Sequence, residues 1–305
     1  WASLNYDTSE YAAYARQYAS DGTPVGNEVQ LNADVPSYVT PYFNHRPSVA
    51  SLQDGGWIAT WTYYKDGSSY GVYGKRFNAD GTEYGPEFQV NTTVEYVQDG
   101  SKVTSLVDGG YVVVWYSNAS TQHGIYGQRY DSAGTPVGTE FEVSGADGAN
   151  HNHAPVIASI TDGGWVAVWV DSNGDVIGQR FDADGNKIDL EFSLGNSEGL
   201  TDPEIVGLSD GGWLIAWEGK DASDLRSGFV QRFSADGEMV GDPVDLSISG
   251  SELVIAQLSD NSWIVADKID GQAQLQRYST FAQGDVLTAD ISLISDDDGI
   301  ASIDS

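Results

Sequence analysis

Four histidines and a few clustered aspartates are the residues of this sequence best suited to chemistry. In His151-Asn152-His153 the two imidazoles would share one face if the segment is extended, because alternate residues of a strand point the same way. Such a pair is half of a transition-metal site, and two ordinary exposed histidines are the plainer reading. Oxygen donors suited to calcium gather in Asp171-Ser172-Asn173-Gly174-Asp175, with Asp171, Asn173 and Asp175 as the candidate ligands. Asp182-Ala183-Asp184-Gly185-Asn186 opens like an EF-hand loop, but Ser193 stands where the bidentate Glu belongs. Asp290, Asp296 and Asp298 form a further calcium set if their segment links two domains. No G-x-S-x-G, H-E-x-x-H or phosphate-binding loop occurs, so no catalytic residue is assigned.

What would position these residues is a repeat. Asp54-Gly55-Gly56-Trp57 recurs as Asp108-Gly109-Gly110-Tyr111, Asp162-Gly163-Gly164-Trp165 and Asp210-Gly211-Gly212-Trp213, with Asp260-Asn261-Ser262-Trp263 a worn copy. A second anchor puts Arg before an aromatic: Arg76-Phe77, Arg129-Tyr130, Arg180-Phe181, Arg232-Phe233 and Arg277-Tyr278, with Arg16-Gln17-Tyr18 as a sixth. A period of roughly fifty residues points to solenoids, propellers or arrays. Within a unit, four strand-like runs are separated by Gly and Asp turns, an antiparallel meander. In the second run Trp57, Ala59 and Trp61 share one face and Ile58 and Thr60 the other, both apolar. Such a strand must be covered on both sides. An all-β fold of stacked four-stranded antiparallel blades, a six-bladed β-propeller, provides that cover. One Arg per unit in the third strand predicts guanidinium groups held by turn carboxylates, with the D-G-G aspartates as partners.

The expected organisation is a propeller over residues 1–280, made of a partial unit at 1–32 and units at about 46–91, 101–144, 154–195, 202–247 and 253–294. Residues 281–305 read either as a last strand with ring closure or as the start of another module. In a propeller blade the repetitive turns share one end and the irregular loops the other, and irregular loops on a rigid scaffold carry recognition. His45, Arg46, Tyr64, His123, His151, His153, Lys220 and Arg226 all fall at the irregular end, which makes them the candidate ligand-binding residues. Polar loops without a ligand are the structural alternative. Asp267 replaces the second Trp of its unit, which reads as decay of the repeat or as a deliberate polar lining.

The units, with D-G-G-W, G-x-Y-G-x-R-[FY] and D-A-D-G-T-x-x-G-x-E-F-x-V, resemble repeats of very large secreted bacterial proteins of the RTX and cadherin-like adhesin type. The stretch from Gly284 to Gly299 is similar to the start of the immunoglobulin-like modules in those proteins. The resemblance implies type I secretion, an extracellular or cell-surface setting, Ca2+, adhesion or ligand binding, and further domains of a longer chain.

The charge agrees with such a setting. Asp plus Glu number 45 against 14 Lys plus Arg, a formal charge of −31, so nucleic acid and anionic membranes are repelled. No apolar run is long enough to insert in a membrane as a helix. Cys is absent, which removes thiol chemistry. The expected function is a non-enzymatic binding or adhesion module for a glycan or a surface protein. The alternatives are a propeller glycosidase or polysaccharide lyase, and a structural spacer. The D-G-G-W turns resemble sialidase Asp boxes, but they join the first and second strands.

Overall fold

The computed structural model describes residues 2–5, 10–19, 21–32, 47–65, 69–119, 122–144, 155–196, 203–221, 223–248, 253–269, 272–278 and 290–292. Among the described residues every regular element is a strand. The chain divides into two compact units, Trp1–Pro155 and Val156–Ser305.

The first unit holds three antiparallel meanders. They are β1 (Ala2–Asn5), β2 (Glu10–Tyr18) and β3 (Pro24–Gln30); β4 (Ser48–Ser51), β5 (Trp57–Tyr64), β6 (Tyr70–Phe77) and β7 (Phe88–Gln89); and β8 (Gln98–Ser105), β9 (Tyr111–Ala119), β10 (Gln122–Tyr130) and β11 (Pro136–Glu142). The second unit repeats the plan. Its first sheet is β12 (Val156–Ser159), β13 (Trp165–Val170), β14 (Asp175–Phe181) and β15 (Lys187–Asn196). Next come β16 (Glu204–Gly207), β17 (Trp213–Lys220), β18 (Arg226–Phe233) and β19 (Met239–Asp245), then β20 (Val254–Gln257), β21 (Trp263–Ile269), β22 (Gln272–Tyr278) and β23 (Asp290–Ser292). First strands of neighbouring sheets lie side by side, β4 by β8 in the first unit, β12 by β16 and β16 by β20 in the second.

The two sequence anchors turn out to be one device. Register places Trp57 opposite Phe77 and Ile58 opposite Arg76, and the Trp57 and Phe77 rings stack at 3.9 Å. Trp165 stacks on Phe181 at 3.8 Å and Trp263 on Tyr278 at 4.2 Å in the same way. Beside each stack the Asp caps the turn and holds the Arg. Asp54 Oδ1 accepts from the Gly56 amide at 2.9 Å, and its Oδ2 receives Arg76 Nη2 at 2.5 Å. The amide bond, with Arg76 alongside, keeps the Asp54 carboxyl below its ordinary range. Arg129–Asp108, Arg180–Asp162, Arg232–Asp210 and Arg277–Asp260 repeat the bridge through one guanidinium nitrogen. At the second Gly of the motif space is tight: a Cβ on Gly56 would lie 2.4 Å from the Phe77 carbonyl oxygen unless the backbone shifted.

One expectation is corrected by register. Arg16-Gln17-Tyr18 is not a further copy of the Arg anchor, because Gln17 occupies the Arg place, paired with Val25 as Arg129 is with Val137. Gln17 Nε2 donates to the Ala79 carbonyl at 3.1 Å, just as Arg76 Nη1 donates to the Ser132 carbonyl at 2.7 Å. Arg16 instead sits at the bulge. In other units that bulge is held by a buried Gln: Gln179 Nε2 donates to the Arg180 and Ile188 carbonyls at 2.8 and 2.9 Å. Gln128 and Gln231 do the same work.

The core lies between sheets. In the second unit Val166 and Val168 of β13 pack against Trp213, Ile215 and Trp217 of β17. Leu214 and Ala216, on the opposite face of β17, pack against Trp263 and Val265 of β21. The same seam in the first unit joins Ile58 of β5 to Tyr111, Val113 and Trp115 of β9. β5 and β17 are therefore apolar on both faces because each faces two neighbours.

Candidate functional site

Each seam between sheets ends in a layer at the irregular-loop end of the second strands. Strand alternation gives its members. Thr62 follows Ile58 and Thr60 and belongs with Trp115; Val170 follows Val166 and Val168 and belongs with Trp217. In the last seam of the second unit the row Leu214, Ala216 continues to Glu218, and the row Trp263, Val265 continues to Asp267. Both members have changed together. Where the other seam of this unit ends in a valine and an indole, Val170 and Trp217, this one ends in two carboxylates.

Both acids are buried, Glu218 at 2% and Asp267 at 4% exposure, and they are the two carboxylates among the buried polar residues described. Around Glu218 the walls are apolar. Gly228 lies directly opposite it in register, and a Cβ there would strike Leu253 Cδ1 at 2.7 Å and Ile248 Cγ1 at 2.9 Å. Arg226 reaches back along the same face and places Nη2 3.5 Å from Glu218 Oε2. Its side chain is 41% exposed, so the guanidinium links the buried acid to solvent at the mouth of the seam. Glu204 of β16, opposite Ala216, and Lys220, opposite Arg226, are further charged residues on this face. Nearby, Ser227 donates to the Asp245 carboxylate at the β18–β19 edge.

Of the residues singled out from sequence, Lys220 and Arg226 lie opposite one another on β17 and β18. Lys220 is tied to Asp224 at 2.9 Å, on the loop that leads to Arg226. In the first unit Tyr64 is exposed, edge-on to Tyr70 at 5.2 Å, and the neighbouring Lys65 bridges to Glu87 at 3.0 Å. His123, also exposed, lies 3.4 Å from the Tyr116 hydroxyl, which burial holds above the ordinary phenol range. Asp171 spends its oxygens on its own turn, accepting from the Asn173 and Asp175 amides at 2.8 Å and from the Asn173 side chain at 3.1 Å. Asp290 begins β23, paired with Arg277 of β22. His45, Arg46, His151, His153, Asp296 and Asp298 lie outside the described residues.

Glu218 escaped sequence reasoning, although the signal was present. Aligned on the second strand, its position reads Thr62, Val170 and Glu218, and the row across the seam within the same unit reads Trp115, Trp217 and Asp267. Only the two columns read together show an acid pair.

No protein-family model and no curated protein matches the chain. Among solved structures it is similar to a protein of unknown function from Dyadobacter fermentans, at 12% identity and a TM-score of 0.54, covering 85% of this chain and 86% of that one. It is also similar to an exo-β-1,3-galactanase from Clostridium thermocellum (14% identity, TM-score 0.48, 82% of this chain and 61% of that one). A third is the catalytic domain of a GH62 α-L-arabinofuranosidase from Coprinopsis cinerea (12% identity, TM-score 0.42, 72% and 83%). The fold is a β-propeller built of four-stranded antiparallel blades. The expected reading as a non-enzymatic adhesion module is corrected here: the neighbours with a stated activity are glycosidases.

Proposed function

We propose that this chain is a glycoside-hydrolysing β-propeller, with Glu218 and Asp267 as its pair of carboxyl groups. The observation that carries this reading is the joint replacement of both members of one seam layer by buried acids. Glycoside cleavage calls for two carboxyl groups flanking the scissile bond, one to protonate the leaving oxygen and one to act as base or nucleophile. Burying a carboxylate in a seam that elsewhere holds an indole is costly for the fold, since charge leaves water without an equal return. Costs of this kind are retained where chemistry needs them. Decay of the repeat explains a single polar intruder less well than two that end the same seam.

The extracellular setting implied by the repeat resemblance is where polymeric glycans are met. The test is product release from a glycan panel that includes β-1,3-galactan and α-L-arabinofuranosides, followed by reducing-end assay and by NMR of the released anomer. Soluble sugar whose release stops in Asp267→Asn supports the reading. Intact glycans after prolonged incubation with the folded full chain, across neutral and acidic members of the panel, would overturn it.

A further inference from the structure

We propose that Arg226 is a positioning residue that keeps Glu218 ionised, so that the two acids of the seam divide their roles. This deepens the glycosidase reading and rests on it for the catalytic part. Among the described charged residues, Arg226, Lys220 and Glu204 share the face of Glu218 in its own sheet, and Asp267 continues the facing row of the next. Lys220 is tied to Asp224 at 2.9 Å, whereas Arg226 lies against Glu218 at 3.5 Å. An opposite charge within about 4–6 Å favours the charged form of a carboxyl, and more strongly where apolar walls exclude water. Leu253 and Ile248 supply those walls beside Gly228.

The placement of Arg226 is not part of the repeat. The Arg of each third strand, Arg232 in this sheet, is committed to a D-G-G aspartate at the opposite end of the blade. Arg226 is an additional cation in a chain with few, set where the loop from β17 returns into β18. Pairing at 3.5 Å through one nitrogen, with the Arg side chain partly exposed, is poor cement for a fold. It is well placed to set charge and orientation on one carboxylate. Held as the anion, Glu218 is the base or nucleophile of the pair.

The test uses the full chain labelled with 13C at glutamate carboxyls, with Glu218→Gln identifying the resonance. In Arg226→Met the Glu218 titration midpoint should rise by about one pH unit or more. Arg226→Lys should keep it near the wild-type value. With a glycan substrate in hand, Arg226→Met should lower kcat about tenfold with little change in KM and displace the acid limb of the pH profile. A Glu218 midpoint that is the same in wild type and Arg226→Met overturns the proposal even if the protein hydrolyses glycans. A midpoint that moves in a protein that cleaves nothing sustains the Arg226–Glu218 coupling and rejects the glycosidase reading. Should Arg226→Met fold poorly, Arg226→Gln replaces it, since it also lacks charge while keeping a polar end at the exposed mouth.

Discussion

Glu218→Gln and Asp267→Asn should each lower glycan hydrolysis by a factor on the order of 10³, with unfolding temperatures no lower than that of the parent protein. The amides keep size and shape but can neither give up a proton nor stabilise a developing positive charge. Neutralising a buried carboxylate also removes an unfavourable burial, so stability should hold or rise. The contrast matters because a structural carboxylate behaves the other way: removing it weakens the fold and leaves a reaction elsewhere untouched. Turnover measured beside a thermal scan separates the two cases. Equal turnover in wild type and both variants would show that neither acid takes part.

Trp217→Ala should destabilise the protein by about 3–5 kcal/mol. The indole is 4% exposed, packs against the valines of β13, and stacks with Phe229 at 5.8 Å. Its loss opens a hole at the end of a seam whose backbone is fixed by ladders on both sides, so little collapse can fill it. Urea denaturation followed by tryptophan fluorescence would measure the loss. A cost below about 1 kcal/mol would mean that the seam can close over the gap and that it is not tightly packed. This residue is the counterpart of Asp267 in the preceding sheet, so the expected cost indicates what the last seam forgoes by holding an acid there.

Much of the fold was legible in the sequence. Period-two alternation in Trp57–Trp61 and Trp213–Trp217 requires cover on both faces, and the D-G-G turns mark where the chain reverses. The Arg–Asp bridges were also readable, since the Arg before the aromatic recurs in the third strands together with one recurrent turn acid. Gln17 was not. A one-residue offset between Arg16-Gln17-Tyr18 and Gln128-Arg129-Tyr130 changes which residue enters the bulge, and only strand register reveals it. The candidate site was hidden for a related reason. Asp267 taken alone looks like wear near the end of an array, and Glu218 alone looks like an ordinary strand-end acid. Their meaning comes from ending the same seam between two sheets, which is a property of register and not of spacing along the chain.

The double variant Glu218→Val/Asp267→Trp addresses the central claim most directly, because it installs the Val170/Trp217 layer of the neighbouring seam. The account predicts a protein at least as resistant to urea as wild type that no longer releases sugar from any glycan the wild type cleaves. Hydrolysis continuing at the wild-type rate in that folded double variant would contradict it and return Glu218 and Asp267 to the status of worn repeat positions.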